Sequence, residues 1–395
     1  MGVLSGAAQD AISANEATAI PPLLPQDIPF QPARDSLFRV GPFNVGAGIS
    51  SQMSYNDNVT IQSANRAADA TWSVSPHIMA RTAAGDRNVS LSYGMSYNSY
   101  LRNSSLSNIG HDGTASGTWA LPKLNLSLSA GFSQSTSPNS DVGALTETKS
   151  YHVSLSADHA LSEKTSVDVS SSVSFSDYGK AVGYTNALYN STPWSIAAYV
   201  NRTPFPKITM GLGVTLSSVG SSQNGGQLSE SAMFRVSYKA TGKLNLTASF
   251  GAMLSQYGGG VPSTLGPVFS VAGNYTPVDA ISVTLEAHRS QQPSAYYGNQ
   301  DMASTGFSLS SGYRLGPRLS LSVGVGYSLS EYHATQVGVN SSRVDDSVSA
   351  HGGLGYTITR HWSAGLSYSY SKNLSNTGGF AYSNNTVGLS TSYEF

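Results

Sequence analysis

Apolar and polar residues alternate along most of this chain. The alternation is clear in the last nine residues, 387–395, where Leu389, Thr391, Tyr393 and Phe395 are separated by serine and glutamate. Successive side chains of a β-strand point to opposite faces, so this period of two predicts a strand with one apolar and one polar face. Such a strand could belong to a membrane β-barrel or lie at the edge of a soluble antiparallel sheet. The rest of the chain must distinguish these two alternatives.

The pattern recurs as an internal repeat, in which a tight turn is followed by a basic residue and then by an alternating strand. Close copies begin at Gly85, Pro122, Glu163, Pro206, Gly242 and Pro317, and looser copies begin at Pro277 and Thr359. Eight short turns, roughly 39 residues apart, predict eight turn-linked strand pairs joined by longer connections, among them those near 133–149 and 289–305. A first strand over 43–55 and a last strand over 386–395 bring the total to about 18, an even number, as in bacterial single-chain barrels.

Aromatic residues collect near both ends of these strands. One set precedes the short turns and comprises Trp119, Tyr238, Tyr275, Tyr313 and Tyr356; the opposite ends carry Tyr55, Tyr97, Tyr151, Tyr257, Tyr327, Tyr368 and Tyr370. Two aromatic belts around an aliphatic band fit the two interfaces of a membrane. We therefore predict an all-β fold, a transmembrane antiparallel up-and-down β-barrel with short periplasmic turns and longer extracellular loops. A soluble β-helix is the alternative, but its repeat would be a single coil rather than a hairpin.

The amino-acid composition limits the classes of function that we expect for the chain. Only 11% of the residues are charged and the net charge is -1, so we expect no nucleic-acid partner. The absence of cysteine from the sequence excludes disulfides and thiolate metal sites. No serine lies on a glycine-framed elbow, and the eight histidines have no His-Glu-x-x-His spacing. We therefore expect neither an enzyme nor a bound cofactor or metal.

The N-terminal segment, residues 1–37, differs from the rest. It holds five prolines among polar residues, which is typical of an extended linker. It lacks the basic and apolar regions of a signal peptide. We expect a Pro-rich periplasmic or lumenal extension over 1–37 and a barrel domain over 38–395. The extension could hang in the periplasm, contact a partner or enter the lumen.

If the apolar face contacts lipid, the other face lines the lumen. That face is rich in Ser and Gly, which are too small to fill so wide a barrel, so a water-filled pore is predicted. Charged residues and histidines are sparse on this face, and the charges are of both signs. Ion-selective pores instead carry dense rings of one sign. The pore-lining candidates are Asp158, Asp168, Arg235, Lys239, Glu286, His152, His288 and Arg314.

Such a wall suits a passive conduit for saccharides or small polar solutes. Serine and glycine could equally be small fillers of a pore that selects for nothing. The alternative from another functional class is a structural or adhesion barrel, whose extracellular loops bind a partner while the pore is incidental. Planar-bilayer conductance separates a conduit from a barrel that does not conduct.

The start of the predicted barrel carries a family resemblance. Phe38-Arg-Val-Gly-Pro-Phe, followed by Tyr55-Asn-Asp-Asn, resembles the opening of an outer-membrane β-barrel family associated with exopolysaccharide and exosortase gene clusters in Gram-negative bacteria. The resemblance implies a location in the bacterial outer membrane and a role in exporting or anchoring a surface polysaccharide. It also implies saccharide or polysaccharide-export components as partners. The matching positions are Gly41, Pro42, Tyr55, Asp57 and Asn58.

The end of the chain carries a second resemblance. A last strand that finishes on an aromatic residue is similar to the closing strand of bacterial outer-membrane barrels. The resemblance implies that Phe395, with Tyr393 in the same alternation, belongs to the signal that the barrel-assembly machinery recognises. We accordingly expect that machinery and outer-membrane lipid as partners.

Overall fold

The fold is known from a computed structural model, which describes residues 38–82, 85–183, 188–221, 226–257, 261–297, 299–339 and 341–395. The predicted N-terminal extension, residues 1–37, lies outside the described residues. Within the described ranges, no helix is long and apolar enough to cross a membrane. The strands are β1 (Phe38–Val40), β2 (Phe43–Asn56), β3 (Asp69–Thr82), β4 (Arg87–Tyr100), β5 (Asn108–Ala120), β6 (Leu124–Asn139), β7 (Ala144–Ser162), β8 (Thr165–Ala181), β9 (Ser191–Phe205), β10 (Ile208–Ser221), β11 (Gln227–Thr241), β12 (Leu244–Gln256), β13 (Thr264–Val278), β14 (Ile281–Pro293), β15 (Gln300–Arg314), β16 (Leu319–Ala334), β17 (Val344–Thr357), β18 (Trp362–Ser375) and β19 (Tyr382–Glu394).

Strands β2 to β19 form a closed antiparallel barrel of eighteen strands, which confirms the predicted fold class. Each strand pairs with its neighbours in the chain, and the ring closes where β19 pairs with β2, with Leu389 opposite Met53. Closure leaves no long sheet edge open to pairing with another chain.

The two faces of the wall differ as the alternation predicts. Large apolar side chains point outward, and Leu212 and Leu389 are 67% and 65% exposed. The serines and glycines between them face the interior, as at Ser170 and Ser172 of β8. A soluble protein would bury these apolar side chains, so the outer surface fits hydrocarbon as its solvent.

The repeated turn motif has a structural cause at the periplasmic rim. After each short turn, a backbone carbonyl accepts a hydrogen bond from the next hairpin. Thr203 N donates to Lys164 O at 2.8 Å, and Thr276 N donates to Lys243 O at 2.7 Å. Lys243 Nζ also donates to Pro277 O at 2.7 Å. The accepting carbonyl belongs to a basic residue at Lys123, Lys164, Lys207, Lys243 and Arg318, whereas Asp86, Ala280 and His361 supply it at the other short turns.

A short hairpin completes the seam between the first and last barrel strands. β19 ends beside the middle of β2, where Phe395 N donates to Ala47 O at 2.9 Å. β1 pairs with the start of β2 beyond that point, through a turn at Gly41 and Pro42. Gly41 has a φ of +56°, a left-handed conformation that favours glycine. β1 thus occupies the edge of β2 that β19 leaves unpaired.

The extracellular ends differ from the sequence prediction. We expected connections over 133–149 and 289–305, but strand pairing continues to Asn139 opposite Ala144 and to Pro293 opposite Asp301. Backbone hydrogen bonds between strands form whether or not the side chains alternate. The strand pairing therefore extends beyond the apolar band. Tyr257, predicted in the aromatic set at the strand ends opposite the short turns, instead meets polar groups at the mouth of the barrel. Its hydroxyl accepts a hydrogen bond from Gln291 Nε2 at 2.8 Å and lies 3.3 Å from Thr264 Oγ1.

Candidate functional site

Large side chains on the inner wall lie over glycines. His288 is directly opposite Gly306 on the neighbouring strand, and a methyl group on Gly306 would come within 2.7 Å of the imidazole Cε1. Each glycine therefore provides a recess that keeps an imidazole against the wall and out of the lumen. The same arrangement holds for His77 over Gly48, His152 over Gly131 and His351 over Gly324.

One ion pair on this wall spans four strands. Arg235 of β11 forms a salt bridge with Asp168 of β8, and its Nε donates to Asn201 Oδ1 of β9 at 2.9 Å. The guanidinium lies over the Tyr199 ring, with Cζ 4.1 Å from the ring centroid. Gly211 of β10 lets the arginine cross, since a methyl group there would lie 3.0 Å from Arg235 Nε. The pair neutralises two of the predicted pore-lining charges.

The other predicted pore-lining residues are spread along the wall. Asp158 is opposite Asp168, and Lys239 lies lower on β11, opposite Asn245. Glu286 is exposed opposite Ser308. Arg314 is at the periplasmic rim, where Nη2 donates to Asp279 O at 2.8 Å. Of the eight candidates, the structure brings Asp168 and Arg235 into direct contact, with Asp158 beside them.

The described loops meet over the extracellular opening. The connection between β14 and β15 contacts the connection between β6 and β7, although these strands are eight positions apart in the ring. A strand spacing of ~4.8 Å and a tilt of ~40° give an eighteen-stranded barrel a diameter of roughly 36 Å between opposite backbones. These two connections can touch only because they fold inward across the mouth.

The inward fold is visible in the sheet. β13 pairs with β14 only from Val278 up to Phe269, opposite Arg289, whereas β14 stays paired with β15 up to Pro293. The upper end of the β14–β15 hairpin has therefore left the wall. We call residues 294–297 of its connection the tip.

Asp141, in the β6–β7 connection, holds the tip. Its carboxylate accepts hydrogen bonds from Ser294 Oγ at 2.9 Å and from Ala295 N at 2.6 Å. Tyr296 N donates to the same group at 3.3 Å, and Tyr332 Oη of β16 donates at 2.9 Å. The carboxylate is buried, and its donors come from two other parts of the mouth. Asp141 therefore joins the β6–β7 connection to the tip and to β16.

Arg343, in the connection before β17, supports this contact. Its Nη1 donates to Asp141 O at 2.8 Å, and its Nε donates to Asp345 at 3.1 Å. The guanidinium stacks on Phe380, 3.5 Å from the ring centroid, and on Tyr332, at 4.4 Å. Its side chain is only 2% exposed, so the charge is compensated by Asp345 and by carbonyl oxygens.

An apolar cluster packs behind these polar contacts. Val142, Ala144, Ala181 and Ala295 are buried together, with Tyr178, Leu188 and Tyr296 packed against them. The cluster joins the tip to the connections after β6 and β8. Packing of this kind is typical of a folded closure and not of loose, solvated loops.

A second buried carboxylate lies beside the hairpin. Asp301, at the extracellular end of β15 and above the aromatic belt, accepts a hydrogen bond from Gln291 Nε2 at 2.9 Å. The Gln227 amide lies 2.8 Å from the carboxylate, and turning it places its nitrogen as the donor. Burial raises the pKa of Asp301 to about 7, against the lowering effect of hydrogen bonds from Tyr257 and Gln291.

The family-motif residues lie along the seam. Gly41 and Pro42 form the periplasmic turn described above. At the extracellular end, Asp57 accepts hydrogen bonds from Asn385 N and Nδ2, both at 2.7 Å. Asn58 is fully buried and donates to Ser383 O at 3.1 Å. The motif thus fastens the first barrel strand to the last one. Tyr55 is exposed on the outer face.

The predicted assembly-signal residues lie at the periplasmic end of the seam. Tyr393 and Phe395 are 42% and 49% exposed on the outside, with their ring centroids 5.0 Å apart in an edge-to-face arrangement. Sequence reasoning missed Asp141, Ser294 and Arg343, because they lie in connections without alternation. The one available signal was the aromatic pair Tyr296-Tyr297 in a polar connection.

The chain is similar to one protein family over part of its length and, at low identity, to several solved structures. The sequence profile of the family described as outer membrane protein beta-barrel domain matches residues 252–395. No curated protein matches the chain. Among solved structures, the siderophore receptor PiuA from Acinetobacter baumannii is 11% identical, with 90% of this chain and 82% of that chain covered and a TM-score of 0.48. OccK2 (OpdF) from Pseudomonas aeruginosa, in complex with glucuronate, is 10% identical, with 89% and 98% covered and a TM-score of 0.47. OccAB4 from Acinetobacter baumannii is 10% identical, with 89% and 98% covered and a TM-score of 0.45.

The family match and the apolar outer surface of the closed barrel confirm the predicted location, the outer membrane of a Gram-negative bacterium.

Proposed function

We propose that the barrel is a pore for saccharides or other small polar solutes and that its extracellular mouth is closed by the tip. The observation that carries this proposal is the contact between Asp141 and Ser294, which joins opposite sides of the mouth at 2.9 Å. Below this contact, the wall offers small hydroxyl side chains and recessed imidazoles. A permeable lumen under a folded cover is the arrangement of a pore that opens and closes.

The chemistry of the wall supports uncharged polar cargo. Two of its carboxylates are paired with cations or imidazoles, since Asp168 meets Arg235 and Glu394 lies 3.3 Å from His77 Nε2. Serine hydroxyls both donate and accept hydrogen bonds, as the hydroxyl groups of a sugar do. Such a wall exchanges hydrogen bonds with a passing saccharide without holding it by charge.

A role in exopolysaccharide export is the finer part of the proposal. It is supported by the resemblance of the segment from Gly41 to Asn58 to a family associated with exopolysaccharide and exosortase gene clusters. Saccharide-export components would then be partners at the periplasmic rim. Growth of a deletion strain, with its surface polysaccharide quantified, tests this part separately from conductance.

The packed cover also supports a second candidate function, a structural or adhesion barrel. Its buried cluster around Val142 and Ala295 gives the extracellular face a fixed shape, which a binding partner would need. The two functions differ in one property, since an adhesion barrel does not have to conduct.

A crosslink across the mouth tests the pore. The chain has no cysteine, so Val142→Cys with Ala295→Cys supplies the only two thiols, at positions that pack together. In planar bilayers, we expect openings under reducing conditions and their loss once mass spectrometry shows the disulfide. Each single-cysteine variant is the control and should conduct under both conditions. Equal conductance of the oxidised and reduced double variant would exclude the tip as the gate, and a chain that never conducts would favour the adhesion barrel.

A further inference from the structure

We infer that the tip, together with Tyr332 and Arg343, is a carboxylate-binding site that Asp141 fills from the opposite loop. A free carboxylate on the extracellular side competes with Asp141 and opens the mouth. This inference rests on the proposed function, because it assigns a ligand class to the contact that closes the pore.

The site is formed mainly by three consecutive residues of the tip. Ala295 N and Tyr296 N point at one carboxylate oxygen, at 2.6 Å and 3.3 Å. Successive backbone N–H groups that converge on one point form an anion-binding concavity. Ser294 completes it, because its Oγ accepts from Tyr297 N at 2.9 Å and its own hydroxyl hydrogen is left to donate to the carboxylate.

The other carboxylate oxygen is bound from the far side. Tyr332 Oη donates to it at 2.9 Å, and Arg343 Nη1 lies 3.8 Å away. Arg343 is fixed by Asp345 and by its stacking on Phe380, so it does not have to reorganise when the anion leaves. The site therefore offers backbone, hydroxyl and guanidinium groups to one carboxylate head group.

None of these donors belongs to the loop that carries Asp141. A carboxylate that enters such a site from another loop is bound in the way that a small ligand would be. The tether gives Asp141 an effective concentration on the order of millimolar or above, so a competing solute must be supplied in excess. Acetate is the smallest stable probe with the same head group and a methyl group in place of the chain.

The first experiment measures channel opening. Acetate replaces chloride on the extracellular side of a planar bilayer that contains the full chain, at constant ionic strength and pH 7. We expect the open fraction to rise several-fold and to saturate with acetate, whereas acetamide, which has the same shape and no charge, has no effect. Asp141→Ala should be open without acetate and should not respond to it. Asp141→Asn keeps the size of the side chain, and it should respond at lower acetate concentrations than the wild type.

The second experiment measures binding directly. Asp141→Ala empties the site, so acetate should raise its thermal unfolding temperature in detergent in a saturable way, as a ligand of the folded state does. The wild type should show a smaller rise, and Asp141→Ala combined with Ser294→Ala should show little.

The outcomes separate the two proposals. If Asp141→Ala opens the pore but acetate neither opens the wild type nor stabilises the variant, the mouth is a gate and the carboxylate site is wrong. If no variant conducts but acetate stabilises Asp141→Ala, the site stands and the pore function fails. Stabilisation by acetamide equal to that by acetate would overturn the inference, since it would show binding without charge recognition.

Discussion

Asp301 shows how one side chain can couple the mouth to pH. In the closed mouth its partners are amide and phenol groups, and no cation compensates an ionised carboxylate among the described contacts of Asp301. When the carboxyl is protonated, it can donate to the Gln227 oxygen, 2.8 Å away; when it is ionised, the amide must turn to donate instead. Burial thus favours the neutral form, and its pKa rises to about 7.

Asp301 predicts that the mouth closes more tightly at low pH. We expect opening to expose the carboxyl to water, which returns its pKa towards the ordinary value of 3.8. In the pH range between these two pKa values, the carboxyl is protonated in the closed state and ionised in the open state. Closure therefore weakens as the pH rises to about 7, and above that value it no longer depends on pH. A pKa difference of one unit changes the equilibrium by about tenfold. Between pH 5 and 8, we expect the open fraction in planar bilayers to rise about tenfold or more.

Two variants test which side chain causes the pH dependence of the open fraction. Asp301→Asn keeps the shape and removes the titration, so its open fraction should be flat over this range. His333 is directly opposite Asp301 on β16, and none of the described hydrogen bonds of Asp301 involves it. His333→Gln should therefore keep the wild-type profile. The reverse result, with a flat His333→Gln and an unchanged Asp301→Asn, would exclude Asp301 as the responsible group.

Strands and their faces could be predicted from the sequence because membrane and lumen impose a period of two on each strand. The same constraint acts on Val169 and Val173, which face lipid, and on Ser170 and Ser172 between them. The short turns were recognisable because most of them have a basic residue at the position that accepts a hydrogen bond from the next hairpin, as at Lys164. These features are local, and a local pattern is enough to reveal them.

The closure of the mouth could not be predicted in this way. Asp141, Ser294 and Arg343 are far apart in the chain, and each lies where the alternation has stopped. Their contact depends on how far the β14–β15 hairpin bends inward, which follows from lost pairing between β13 and β14. No period in the sequence encodes that bend. The ion pair of Asp168 and Arg235 is a similar case, because it crosses two intervening strands.

The glycine recesses make a prediction about the strands. Gly306→Ala places a methyl group 2.7 Å from His288 Cε1, so the imidazole must swing into the lumen. The amplitude of single openings should fall, while stability changes by less than about 1 kcal/mol because the ring moves into water. Gly306→Ala with His288→Ala should restore the amplitude. Gly46→Ala is the matched control, since its methyl group would be 3.5 Å from Met79. An unchanged amplitude in Gly306→Ala would mean that the recess does not affect the conducting width of the lumen.

At the scale of the whole molecule, the barrel depends on one junction between strands from opposite ends of the chain. Asp57 and Asn58 fasten that junction on the extracellular side, and the β1 hairpin and Phe395 complete it on the periplasmic side. The family-motif residues therefore have a structural role that a polysaccharide function does not need. Their resemblance to one family supports a shared way of closing the ring at least as directly as a shared cargo.

The same junction allows the assembly role of Phe395 to be separated from its structural role. Phe395→Ala keeps the backbone hydrogen bond to Ala47 and loses an edge-to-face contact with Tyr393, so the free energy of unfolding should fall by only roughly 1 kcal/mol. The variant should refold in detergent almost as well as the wild type. If the assembly machinery recognises the terminal aromatic, the amount of folded barrel in the outer membrane should fall several-fold. Phe205→Ala removes an exposed aromatic side chain at the same rim, inside the chain, and should assemble normally. Equal losses for both variants would show that the cell requires aromatic residues at the rim in general and gives the last residue no special part.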